Sequence, residues 1–121
     1  MVWARRSATT ATTSTVIRTT IAICYLTLAN LLIHEMNPQA ITIAEEVSGM
    51  PGLAAKFKDG GYGFDYRMAM NIPDFWIKII KELPDEAWKP SSIFWETTNR
   101  RADEKTISYC ESHDQALVGD K

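Results

Sequence analysis

The sequence predicts an α/β chain built around a parallel sheet. Three observations carry this. Apolar residues recur at helical spacing between positions 21 and 32, an almost wholly apolar run occupies 40–44, and helices alternate with further short strands along the rest of the chain. With 121 residues, 45% of them hydrophobic, the chain has enough material for one modest domain with a core.

The first helix is written in Ile21, Cys24, Tyr25, Leu28, Leu31 and Leu32, which fall on one face at steps of three and four. Asn37-Pro38 ends it, because proline disfavours helical geometry in the residue before it. The apolar run inside it, 21–33, is 13 residues long and interrupted by Thr27 and Asn30. A membrane span takes about 20 residues, so a core helix is expected. The run 40–44 (AITIA) alternates only at Thr42, which suits a strand covered on both faces.

Gly49-Met50-Pro51-Gly52 and Asp59-Gly60-Gly61 mark loops, and 62–66 reads as a second short strand. Pro73 fits the first turn of a helix in which Phe75, Trp76, Ile79, Ile80 and Leu83 share a face, and Pro84 stops it. Ser91 or Ser92 is placed to cap a third helix carrying Ile93 and Phe94. The last strand is expected at 106–110, with Ile107 and Tyr109 alternating against Ser108 and Cys110. Trp76, among aliphatics at helical spacing, is expected in the core.

Charge is placed unevenly. Before Glu35 there are three arginines and no acid; from Glu35 onward there are ten basic and fifteen acidic residues, a net of −5. An acidic body without a basic stripe argues against nucleic acid as a partner. Cys24 and Cys110 form neither a CxxC pair nor a disulfide framework, which points to a reducing, cytoplasmic setting. Residues 7–20 are threonine-rich with no helical or strand spacing and are expected to be disordered.

Chemistry-bearing residues gather after the strands. Glu45 and Glu46 follow the apolar run 40–44, and Ser112-His113-Asp114 follows the last strand. In parallel α/β architectures functional groups collect where strands end, although a solvated loop carboxylate reads the same way. The His-Asp pair suits a polar ligand, a metal or a helix cap. There is no GxSxG elbow for a hydrolase triad, and His34-Glu35 lacks the second histidine of a zinc HExxH site. Two strand-end acids, Glu45 and Asp114, remain; carboxylates flanking a pocket are what glycosidic-bond chemistry uses.

The strings YLTLANLLIHEMNPQAITIAEEVSGMPGL, GGYGFDYRMAMNIPDFWIKIIKE and TNRRADEKTISYCESHDQALVGDK resemble the glycogen (1,4-α-glucan) branching enzymes of the α-amylase superfamily. The resemblance covers residues 22–121 and implies part of a (β/α)8 barrel, roughly strands 5 to 7 with their helices; a whole barrel needs roughly 250 residues. It implies a retaining enzyme of glycogen biosynthesis that cleaves an α-1,4 glucan and transfers the segment to a 6-hydroxyl, with no cofactor, metal or membrane. By motif Glu45 in TIAEEVSG matches the general acid/base, Asp114 in ESHDQ the transition-state stabiliser, and His113 its sugar-binding neighbour. Glu46 stands where this motif commonly has aspartate.

The resemblance also implies a nucleophilic aspartate on the strand before the acid/base strand, and this chain has no counterpart to it. Asp65 lies after Glu45 and is not the nucleophile. A retaining enzyme cannot form its covalent intermediate without that group, so the chain alone is expected to be inactive. Residues 1–21 do not resemble the family. They are expected to be a misread of an acidic, aromatic segment such as SDYNDYFD, whose codons give Thr/Ala/Ser runs one base out of frame; a transit-like leader is the rival. The competing functions are a non-catalytic glucan-binding fragment and a hydrolytic amylase relative.

Overall fold

The computed structural model describes residues 4–115, with side chains from residue 19 onward. The chain divides into two compact units, Met1–Ala40 and Ile41–Lys121. The end of the family's last string, ALVGDK at 116–121, lies outside the described residues.

The first unit is one helix, α1 (Ala4–Met36). It ends where Asn37-Pro38 requires, and the Asn37 N–H still closes the last turn on the Ile33 carbonyl at 2.8 Å. Its start differs from the expected one. The helix runs back through the threonine-rich stretch, at a cost of up to about 0.7 kcal/mol for each residue that is a poorer helix former than alanine. The core-helix expectation is not met: Ile21, Tyr25, Leu28 and Leu32 are exposed, and Asn30 is buried. By length and composition Thr19–Met36 is apolar enough to cross a membrane, although the uninterrupted run is shorter than a span.

The second unit holds three strands, β1 (Ile43–Ala44), β2 (Tyr66–Met68) and β3 (Thr106–Ile107), all parallel in the order β1-β2-β3. The α/β reading with a parallel sheet is therefore correct. Between β2 and β3 the chain crosses over through α2 (Asn71–Glu82) and α3 (Pro90–Thr98), as parallel neighbours require. The link from β1 to β2 has no α-helix, only a 3₁₀ turn at Phe57–Asp59.

Several boundaries move. The second strand is Tyr66–Met68 rather than 62–66, because Tyr62, Gly63 and Phe64 donate instead to the Gly52, Ala55 and Leu53 carbonyls and fold the loop on itself. Pro90, not a serine cap, opens α3. In α2 the buried residues are Ile72, Pro73, Ile77 and Ile79, while Ile80 and Leu83 are exposed and Trp76 is half-buried against Trp88. The strand at 40–44 is covered on one side only: Ala44 is buried and Ile43 is 46% exposed.

Register decides which residues share a side. Ala44 pairs with Arg67 and Arg67 with Thr106; Ile43 pairs with Tyr66 and Met68 with Ile107. Paired residues in a parallel ladder point the same way, so Ala44, Arg67 and Thr106 form one side of the sheet.

Candidate functional site at the C-terminal edge of the sheet

Glu45 directly follows β1, and His113 and Asp114 lie in the turn beyond β3. Because the strands are parallel, both ends open on the same edge of the sheet. One polar atom each from Glu45, His113 and Asp114 lies within 4.8 Å of the others, although Glu45 and His113 are 68 positions apart in the chain. His113 Nε2 stands 3.3 Å from Asp114 Oδ2. All three side chains are exposed. Two carboxylates and an imidazole are also the donor types of a divalent-cation site, but exposed acids commonly meet without one.

A small polar clamp sets the His113-Asp114 turn. Ser112 and Gln115 exchange backbone hydrogen bonds at 3.3 Å in both directions, and the Asp114 N–H donates to Ser112 Oγ at 3.3 Å. Gln115 Nε2 donates to the Met70 carbonyl at 3.1 Å and to Asp74 Oδ1, in the first turn of α2, at 2.9 Å. The Tyr109 hydroxyl donates to Gln115 Oε1 at 2.8 Å and touches Met70 Sδ at 2.9 Å. Burial first, and then the charges of Glu45, Asp74 and Asp114, push the Tyr109 phenol above its usual 10.0, against the lowering effect of a Ser112 hydrogen bond. One phenol thus senses both strand-end acids.

Adjacent glutamates in an extended chain point to opposite sides. Glu46 accordingly turns to the Arg67 side, where Arg67 Nη2 donates to its Oε2 at 2.9 Å. Burial raises the Glu46 pKa, but hydrogen bonds from Ser48 and the Arg67 charge outweigh it and hold the carboxyl below its usual 4.5. Arg67 Nη1 also donates to Glu104 Oε2 at 3.0 Å and to the Met50 carbonyl at 2.8 Å. Glu104, whose side chain is 1% exposed, takes the Ala54 N–H at 3.2 Å and a second guanidinium, Arg101 Nε, at 3.2 Å. Every buried side-chain polar atom among the described residues has a partner.

Sequence reasoning missed this network. The available signal was Arg67 itself: an arginine inside a strand, between Tyr66 and Met68, must be paired if it is buried. A cavity of about 470 Å³ adjoins the network, lined by Glu46, Arg67, Asn71, Glu96 and Arg101 among others. It does not include Glu45, His113 or Asp114, which stand on the open surface across the sheet.

Asp65 lies at the other end of the strands. Its Oδ2 accepts the Thr42 N–H at 2.8 Å and the Thr42 hydroxyl at 3.2 Å, at the N-terminal edge of β1. That position ties the entry of one strand to the entry of the next and is remote from the strand ends that carry Glu45.

No protein-family model matches the chain. Individual proteins do. Over 99 residues, 82% of this chain, it is 59% identical to the 1,4-alpha-glucan-branching enzyme of Rhizophagus irregularis. It is 59% identical over 100 residues to that of Felis catus and 59% identical over 101 residues to that of Saccharomyces cerevisiae. The chain spans 14% of the length of each of these relatives.

Proposed function

We propose, from the premise that this chain is homologous to a segment of the 1,4-alpha-glucan-branching enzymes, that it supplies two of the catalytic carboxylates of such an enzyme. The observation that carries the reading is the meeting of Glu45, His113 and Asp114 within 4.8 Å at the C-terminal edge of parallel strands. The strands then form an arc of a (β/α)8 barrel, with α2 and α3 in the outer ring. In that arrangement the half-exposed Ile43 is on the side that the remaining strands cover.

In this reading Glu45 protonates the glycosidic oxygen as the α-1,4 bond breaks, then takes the proton of the incoming 6-hydroxyl when the α-1,6 bond forms. Asp114 stays ionised and faces the positive charge that develops on the sugar. His113 donates a hydrogen bond to a sugar hydroxyl. The nucleophile that holds the cut segment is an aspartate with no counterpart among these 121 residues, so these residues by themselves are expected not to branch glucan. The setting is glycogen synthesis in the cytoplasm, and the substrate is an α-1,4-glucan.

In the same reading residues 1–21, where the resemblance has not yet begun, are a frame-displaced segment. The nucleotide sequence tests that: a displaced frame without an Asp/Tyr-rich stretch sinks it.

The catalytic reading is tested by grafting residues 22–121 in place of the matching segment of the Saccharomyces cerevisiae enzyme. The expected result is branching activity, seen as a fall in iodine–glucan absorbance, that disappears in Glu45→Gln and in Asp114→Asn while the proteins stay folded. Full activity in either variant refutes the assignment of that residue. The ungrafted 121-residue chain is expected to leave the iodine absorbance unchanged.

A further inference from the structure

We infer that Arg67 and Glu104 are positioning residues for Glu45, acting through the two residues that flank it. Arg67 holds both neighbours. Its backbone is the ladder partner of Ala44, and its guanidinium binds the Glu46 carboxylate at 2.9 Å. Glu45 lies between two residues fixed by one arginine, so little beyond its own side-chain torsions is left free.

The loop that follows is pinned by the same charges. Arg67 Nη1 holds the Met50 carbonyl at 2.8 Å, Arg101 Nη2 holds the Gly49 carbonyl at 2.8 Å, and Glu104 holds the Ala54 N–H at 3.2 Å. Glu104 in turn joins both guanidiniums, at 3.0 and 3.2 Å. Four attachments over nine residues thus tie the segment after Glu45 to β2 and to the approach to β3. Glu104 precedes Thr106, where β3 begins, so the network also references this loop to the strand that leads to Asp114. A network centred on the buried and paired Arg67 and Glu104 fixes the geometry of the groups it joins, and a reacting carboxylate is what needs such fixing.

None of these groups touches the cluster of Glu45, His113 and Asp114, so the effect on chemistry is indirect. The inference rests on the branching reading above, and its test separates the two. In the intact 121-residue chain, amide exchange at Ala54 reads the network directly, and a carboxyl titration reads Glu46. Arg67→Met is expected to speed exchange at Ala54 and to move the Glu46 titration upward, with Arg67→Lys in between; unchanged exchange and titration in Arg67→Met overturn the inference.

In the grafted branching enzyme, Glu104→Gln keeps the Ala54 acceptor and the side-chain shape while removing the charge. This variant is expected to remain folded and to lower kcat with KM within about twofold, and Arg67→Met to lower kcat by up to about 100-fold, the scale of a 1 Å misplacement. Partial recovery of kcat in Arg67→Lys supports positioning. An active graft whose kcat is indifferent to both Glu104→Gln and Arg67→Lys overturns the inference and spares the branching reading. An inactive graft that still protects Ala54 overturns the branching reading and the inference with it.

Discussion

Gly60 and Gly61 are neighbours with different physical reasons to be glycine, and substituting each by alanine separates them. Gly60 has a φ of +85°, but a Cβ there meets nothing within 4 Å. Gly60→Ala therefore incurs only left-handed backbone strain, about 1–2 kcal/mol. At Gly61 a Cβ would fall 2.6 Å from Ala55 Cβ and nearer still to the Ala55 carbonyl. That carbonyl accepts the Gly63 N–H at 3.1 Å, inside a loop that also carries the Tyr62 N–H to Gly52 O at 2.9 Å and the Phe64 N–H to Leu53 O at 3.2 Å. Leu53, Ala54 and Ala55 are buried, so neither strand of the loop can retreat without opening the core beneath it.

The cost at Gly61 combines overpacking, about 1–3 kcal/mol, with an orphaned backbone pair, about 1–3 kcal/mol. Taken together Gly61→Ala is expected to destabilise by about 2–6 kcal/mol, a larger effect than at Gly60. Urea unfolding of the chain, followed by fluorescence of the half-buried Trp76 and Trp88, measures both. Gly60→Asn provides a control, since asparagine tolerates positive φ, and it should lie closer to wild type than Gly60→Ala. Equal destabilisation by Gly60→Ala and Gly61→Ala would refute the close approach of this loop to Ala55.

Three further outcomes are expected. Arg67→Met leaves the Glu104 carboxylate buried with only Arg101 beside it, a loss of about 3–5 kcal/mol in unfolding free energy, and a double-mutant cycle with Glu104→Gln should recover part of it. The lowered Glu46 pKa means the folded state holds that carboxylate more readily in its charged form. Its contribution is complete above the usual 4.5 and is lost as pH falls through the lower folded value, so Glu46→Gln should flatten the acid limb of a stability–pH curve. Tyr109 has the opposite sign: its raised pKa contributes stability that is complete below 10.0 and lost as pH rises through the folded value. Difference spectra of the chain against Tyr109→Phe should show a phenol titrating above 10.0, and a midpoint at or below that value contradicts the clamp.

The sequence by itself determined the order of the elements and where the reactive residues fall along them. Asn37-Pro38 sets the end of α1 through local sterics, and short apolar runs alternating with helices imply parallel strands because such strands need crossovers. Parallel strands put their ends on one edge, so Glu45 and Asp114 could be expected together from order alone, and they are. Tertiary structure decided the rest, since it depends on which distant residues come into register. Pairing of Ala44 with Arg67 turns Glu46 away from Glu45 and into a buried network with Glu104, a residue 58 positions on. The 62–64 backbone is drawn into a loop by Gly52, Leu53 and Ala55, which delays β2 to Tyr66. Local propensity cannot report either event, because a long-range hydrogen bond or ion pair is set by the partner's position in space and leaves no period in the sequence.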